Sequence, residues 1–279
     1  MDIRVIANQQ LTIILRTCEG VPCVHPHNPR PYDMSKTDVI KACFASLWRA
    51  ACNSQLMWRI YVIDDGSSPE LRDWMRGHKG GRVKGTQLIV EEHSGLGNAG
   101  SLARQFALVE ELNLDDDSWV YLVEDDYLHT GDCFWRVRDF LNFAEGDFYI
   151  SPYCQPYNAW HAVESRQAGL QVVRPSCLIM SEVMRTEKPR RWVRTPLHDW
   201  MQVFHTCWTF LTTAGVLRRH WGVYQAALPR WDDATISAIY ETVPCWTPIP
   251  ALASHFQEGC QSPGFNQQVV REWVEELKT

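Results

Sequence analysis

The sequence predicts an α/β fold: a mostly parallel, Rossmann-like sheet with helices on both faces. Two observations predict it. Short apolar runs rich in β-branched residues alternate with stretches of helical periodicity between residues 11 and 150. Polar motifs follow those runs, at the carboxyl edge where parallel sheets bind their ligands.

The elements follow in order. "LTIILR" (residues 11–16) reads as a buried strand. A loop rich in Pro, His and Asn runs on to about Pro31. Ser35 reads as the N-cap of "KTDVIKACFASLWRAAC", where Val39, Ile40, Cys43, Phe44 and Leu47 recur at helical spacing. "WRIYVIDDGSSPE" is strand, then a bend at Asp64-Asp65-Gly66-Ser67, then a helix with Pro69 in its first turn. "TQLIVEE" is the third strand, "GLGNAG" leads into the helix "SLARQFALVEEL", and "SWVYLVEDDY" is the fourth strand. "TGDCFWRVRDFLNFA" reads as a helix and "GDFYISPY" as a further strand. Beyond about residue 155 periodicity weakens. "LTTAGVLRRHW", "DDATISAIYET" and the amphipathic "FNQQVVREWVEEL" read as helices. The expected organisation is one domain over 1–279, with the half from 151 completing a site begun by 11–150.

The 279 residues are 45% hydrophobic and 22% charged, the balance of an ordinary globular protein. A formal net charge of -6 argues against a protein that coats nucleic acid non-specifically. "MDIRVIANQQ" has no apolar core of a secretory signal, and no run approaches the length of a membrane span. The expectation is a cytoplasmic protein whose ten cysteines are reduced thiols. Cys18, Cys23, His25 and His27 are all zinc-ligand types, but their spacing matches no common zinc module. His198-Asp199 and His205 form a candidate charge pair, without the G-x-S-x-G of a hydrolase beside it.

Two motifs carry the functional reading. Gly95 to Gly100 spell G-x-G-x-x-G between a strand and a helix, as in a dinucleotide-binding loop, so an NAD(P)-dependent oxidoreductase is one reading. The loop follows the third strand rather than the first, and polar "EEHS" separates it from "LIV". The second motif, "VEDDY", gathers Glu124, Asp125 and Asp126, which stay ionised together only beside a cation. A nucleoside diphosphate-sugar brings two phosphates, and a hard cation such as Mn2+ or Mg2+ joins them to carboxylate oxygens. A non-catalytic binding module that keeps the fold is the third reading.

"LTIILRT", "VIDDGSS", "GLGNAGSLAR" and "YLVEDDY" together resemble, in order and approximate spacing, the GT-A glycosyltransferases, especially family 2-like ones. The resemblance covers residues 11–150. It implies a metal-dependent transferase moving a sugar from a nucleoside diphosphate-sugar, with a UDP-sugar as leading donor, to a hydroxyl acceptor. Arg16 and Thr17 would line the nucleotide pocket, and Asp64 and Asp65 would contact base or ribose. Asn98, Gly100 and Arg104 would pack against the nucleotide, with Arg104 available to the diphosphate. Glu124, Asp125 and Asp126 would be the D-x-D motif, with Asp126 the leading metal ligand, Glu124 replacing its first Asp, and Asp125 beside the donor. His255 in "ALASHFQ" would complete the metal site. Asp232 and Asp233 in "WDDATIS" would include the catalytic base, against plain helix capping as the alternative.

Arg185, Lys188, Arg190, Arg191 and Arg194 surround Trp192, a basic patch in an acidic chain. Such a patch suits phosphate contacts and base stacking, which makes 5-hydroxymethylcytosine in DNA, as in bacteriophage base modification, the leading acceptor. A glycan, protein or small-molecule acceptor is the alternative, as is a plain solvated loop.

Overall fold

In a computed structural model, the residues described are 10–20, 30–78, 85–155, 191–230, 233–257, 260–262 and 265. The expected first half forms as read. The strands β1 (Gln10–Thr17), β2 (Met57–Asp65), β3 (Gln87–His93) and β4 (Trp119–Glu124) run parallel in the order β3-β2-β1-β4. Helices α1 (Lys36–Asn53), α2 (Pro69–Arg76) and α3 (Gly97–Glu111) are the crossovers between them. Ser35 caps α1 by accepting from Asp38 N, and Ser68 caps α2 by accepting from Leu71 N, with Pro69 in the first turn.

Alternation along the strands sends neighbouring residues to opposite faces. Leu11, Ile13 and Leu15 of β1 join Ile40, Phe44 and Leu47 of α1 and Leu71 of α2 in one core. Phe134, Val137 and Phe140 of α4 (Cys133–Leu141) belong to the same layer. Ile14 of β1 faces the other way, into a second core with Leu102 and Phe106 of α3. That layer also holds Val216 of α5 (Ala214–Arg219), Tyr224 of α6 (Trp221–Ala227) and Ile236 of α7 (Asp233–Ser237). The sheet is therefore sandwiched between two helical layers, as the sequence predicts.

The sheet continues into the second half through short strands that sequence periodicity does not reveal. Those added to the main sheet are β6 (Tyr149–Ile150), β7 (Trp192–Arg194), β8 (Asp199–Val203), β9 (Phe210–Thr213) and β10 (Cys245–Ile249). They extend the order as β4-β9-β6-β10-β8-β7, where β9 is antiparallel to both neighbours, β6 and β10 are parallel, and β7-β8-β10 is antiparallel. "LTT" was expected to open a helix and instead ends β9, with Thr213 then capping α5. A separate antiparallel pair, β5 (Tyr127–His129) with β11 (Ala253–His255), sets Tyr127 opposite His255. The C-terminal helix expected over 265–277 lies outside the described residues apart from Phe265.

His129 in β5 is buried, and its Nε2 hydrogen-bonds the Tyr121 hydroxyl at 2.8 Å. Burial pulls its pKa down to about 3. The unfolded chain takes up a proton near the ordinary His value while the folded chain does not, so this residue removes stability as pH falls from about 6.5 toward 3. Urea unfolding of wild type and His129→Gln between pH 6 and 4 should show the wild type losing stability faster, by up to about 1.4 kcal/mol per pH unit.

Candidate functional site

The sheet's carboxyl edge collects the polar residues by register. Arg16 of β1 lies opposite Glu124 of β4, and Thr17 lies opposite Asp64 of β2. Arg16 is nearly buried and forms an ion pair with Glu124. Its Nη1 also donates to Asn98 Oδ1 at 2.5 Å, Asn98 O at 3.1 Å and Ser101 Oγ at 3.4 Å. One guanidinium thus ties β1 to β4 and to the first turn of α3. Burial pushes the Glu124 carboxyl up, against the pull of Arg16.

The two aspartates of "DDGSS" are spent on the scaffold. Asp64 is fully buried. Its carboxylate accepts from Thr17 Oγ1 at 2.8 Å and Ser67 N at 3.2 Å, and Arg72 lies 3.6 Å away. Asp65 accepts from Leu96 N at 2.9 Å and Gly97 N at 2.7 Å. Both carboxylates therefore brace the strand edge. The same bonds bear on the dinucleotide reading. A pyrophosphate in that reading needs the backbone N–H groups that open the helix, and here a carboxylate of the chain already holds two of them. The helix also begins earlier than expected, at Gly97 rather than Ser101. Gly95 and Gly97 supply positive φ (78° and 64°) for this tight entry. A Cβ on Gly100 would come within 3.3 Å of Leu96 Cβ, so its bareness serves packing inside the loop.

Arg104 is engaged within the chain. Its guanidinium is taken by Glu91 at 3.1 Å and Glu111 at 2.5 Å. Glu111 lies two turns further along α3 on the same face, and β3 supplies Glu91.

Each carboxylate of the acidic turn meets a cationic side chain from a different element. Glu124 has Arg16. Asp125 accepts from Lys36 Nζ at 2.6 Å and from Cys18 N at 3.0 Å. Asp126 Oδ2 faces His255 Nε2 at 3.1 Å. Burial alone would raise Asp126, but the imidazole beside it holds the carboxyl well below the usual range. Burial alone would lower His255, and Asp126 overrides it, pushing it up to about 10. The ring of His255 stacks on Tyr127, with centroids 5.0 Å apart and planes 6° apart, and this fixes its direction. Lys36 is the residue that sequence reasoning missed. One signal was present: a lysine at the first position of a helix opposes the helix dipole, which calls for a nearby anion.

A divalent cation fits the Asp126–His255 corner. Asp126 Oδ1 is buried with no hydrogen-bond partner, and oxygen and imidazole donors suit Mn2+. Glu124, expected as a further ligand, is turned to Arg16 instead. Among the described residues no three His, Cys, Asp or Glu side chains converge as a ready-made metal cluster. The protein would supply two ligands, leaving other positions to phosphate and water.

The segment before β9 runs from this turn to α7. Glu124 N donates to Thr209 Oγ1 at 3.3 Å, the Tyr127 hydroxyl lies 2.8 Å from Cys207 Sγ, and His205 Nδ1 hydrogen-bonds Ser237 Oγ at 2.8 Å. Asp233 opens α7 as expected, while Asp232 lies outside the described residues. The His198–Asp199–His205 pairing does not form. His198 binds Pro250 O at 2.6 Å and Arg136, Asp199 pairs with Arg194, and His205 turns to Ser237.

Of the basic patch, Arg185, Lys188 and Arg190 lie outside the described residues. Arg191 donates to Gln202 Oε1 at 2.8 Å and lies over the Trp246 ring, and Arg194 pairs with Asp199 at 2.7 Å. Trp192 is exposed on the edge strand β7. Cys18 is a free thiol, and Cys23, His25 and His27 also lie outside the described residues. Among the described residues no helix is long and apolar enough to cross a membrane.

No family model and no curated protein matches the chain. Several solved structures do. One is a galactosyltransferase, LgtC, in complex with donor and acceptor sugar analogs, at 13% identity over 84% of this chain and 70% of that one, with a TM-score of 0.43. Mouse xyloside xylosyltransferase 1, apo form, matches at 10% identity over 83% of this chain and 75% of that one, TM-score 0.38. The apo-form glycosyltransferase GlyE of Streptococcus pneumoniae TIGR4 matches at 10% identity over 86% and 45%, TM-score 0.42. Likeness at this level carries nothing about chemistry, which rests on the side chains.

Replacing Asp65 with Ala should remove the acceptor from Leu96 N and Gly97 N. The expected loss is about 1.5–3 kcal/mol of stability, the range for hydrogen bonds to charged groups, read from urea unfolding.

Proposed function

We propose that this chain is a GT-A-type glycosyltransferase that moves a sugar from a nucleoside diphosphate-sugar, with UDP as leading nucleotide, to a hydroxyl acceptor. The supporting observation is the acidic turn at the parallel-strand edge, where Asp126 keeps a buried, unpartnered oxygen beside His255. Parallel α/β sheets bind ligands at that edge. The NAD(P) reading is weakened by Asp65, which holds the backbone donors that a pyrophosphate would use.

In the proposed reaction the acceptor oxygen bonds to the anomeric carbon, the bond from that carbon to the diphosphate breaks, and the diphosphate leaves with the electron pair. The acceptor proton passes to a carboxylate, for which Asp232 and Asp233 are the candidates. Asp126 and His255 would hold Mn2+ or Mg2+, which neutralises charge on the departing diphosphate. Arg16 holds Glu124 and Asn98 in place, so the turn presents Asp126 in one orientation. For the acceptor, 5-hydroxymethylcytosine in DNA has one supporting observation, the exposed Trp192. Arg191 and Arg194 are already engaged within the chain.

Calorimetry with UDP and with NAD, each with and without Mn2+, tests the class. UDP binding should require Mn2+ and be lost in Asp126→Asn with little change in melting temperature. Metal-independent NAD binding would overturn the reading. Asn variants of Asp232 and Asp233 separate base from cap. The base variant should bind UDP and Mn2+ normally yet lose on the order of 10²–10⁴ in transfer rate. A cap variant should melt lower and turn over normally per folded molecule. Incubating enzyme, Mn2+ and UDP-sugars with hydroxymethylated and plain DNA, then digesting to nucleosides, should show the added sugar mass on the modified base only. Its absence with every accepted donor removes DNA as acceptor.

A further inference from the structure

Lys36 is a cation in an unfavourable place. It is the first residue of an 18-residue helix, the end whose dipole repels positive charge. It is also mostly buried, with a side chain 14% exposed. Burial of an unpaired ammonium is costly, so something must compensate both effects. The compensation is Asp125, whose Oδ1 lies 2.6 Å from Lys36 Nζ. The other oxygen of Asp125 accepts from Cys18 N, so neither is turned toward Asp126 or His255. Asp125 is the neighbour of Asp126 in the turn, so the ammonium is held one residue along from the Asp126 corner.

Three adjacent carboxylates without partners would draw a divalent cation out of solution unaided. Here each of the three meets a cationic partner before any ligand arrives: Arg16, Lys36 and His255. In a half-buried site salt screens such charges poorly, so the ammonium also repels a second cation entering beside Asp126. A diphosphate changes that balance, because it brings its own negative charge into the same field.

We propose that Lys36 is a built-in countercharge that keeps the acidic turn from capturing a divalent cation until the donor's diphosphate arrives with it. Lys36 is thus a positioning residue: it touches Asp125 and acts on the Asp126 corner through charge. This rests on the glycosyltransferase reading and its Asp126–His255 corner.

The test is Mn2+ binding, followed by the electron paramagnetic resonance signal of free Mn2+, with and without UDP. The proteins are wild type, Lys36→Gln and Lys36→Arg. Gln keeps a hydrogen-bond donor for Asp125 and removes the charge, and Arg keeps the charge. Wild type should bind Mn2+ weakly alone and well with UDP. Lys36→Gln should bind Mn2+ alone roughly tenfold tighter than wild type, while Lys36→Arg behaves like wild type. A merely structural lysine predicts the opposite sign, weaker metal binding in the Gln variant together with a lower melting temperature. If wild type binds Mn2+ with UDP but Lys36→Gln holds Mn2+ alone no tighter than wild type, the countercharge role is overturned and the transferase reading stands. If Lys36→Gln does not fold, Lys36→Met, which keeps the length of the side chain without its charge, gives the same decision: Mn2+ affinity in the absence of UDP should rise about tenfold over wild type, and an unchanged affinity overturns the proposal. If wild type binds no Mn2+ even with UDP, the metal reading of the site fails, and this proposal with it.

Discussion

The guanidinium of Arg16 is the interaction on which the strand edge depends. It is nearly buried, and it joins three elements that are far apart in sequence: β1 through its own backbone, α3 through Asn98 and Ser101, and the acidic turn through Glu124. Removing one partner of a buried pair leaves an uncompensated charge, which costs about 3–5 kcal/mol in typical cases. The pair therefore acts less as a source of net stability than as a constraint. A chain in which β1 and β4 slip by one residue moves Arg16 away from Glu124 and leaves the nearly buried guanidinium without its carboxylate. Register and charge pairing specify the same alignment.

The "DDGSS" bend applies the same logic one strand over. Asp64 closes its own turn on Ser67 and reaches back to Thr17, and Asp65 grips the entrance to α3. The edge is thus braced on both sides of β1 by carboxylates that accept from the backbone or from a neighbouring strand. A ligand meeting this edge would find a preorganised rim, in which few side chains need to move.

The first half was legible because its strands are six to nine residues long and its crossovers are helices, so apolar periodicity and caps mark both. The convergence of polar motifs on one edge followed from topology alone. The second half was illegible for a physical reason. β6 has two residues, and β7 and β11 have three, too few for a period to register, and β6 and β11 are specified by partners far along the chain. Side-chain partners were illegible where sequence nearness stood in for space. Arg104 sits beside the glycine loop in the chain, yet its partners are Glu91 and Glu111. Asp64 and Asp65 carry the right chemistry for a ribose, but the nearest unsatisfied donors belong to the protein itself.

The acidic turn shows why such a site is hard to read one segment at a time. Its three carboxylates cannot coexist unless cations are close, and no basic residue lies within the turn. The cations come from β1, from the start of α1 and from β11, at sequence separations of 108, 89 and 129 residues. Each pair forms only when its own two elements have come together. Like-charge repulsion in the turn therefore opposes partly folded states and is fully relieved only when β11, from the second half, has joined the first. The same distribution separates roles within three consecutive residues. Glu124 and Asp125 are held by a guanidinium and an ammonium, which cannot bind a metal while charged, whereas Asp126 faces an imidazole, which can become a ligand once it gives up its proton. That leaves Asp126 as the carboxylate of the three best placed to exchange its partner for an incoming cation.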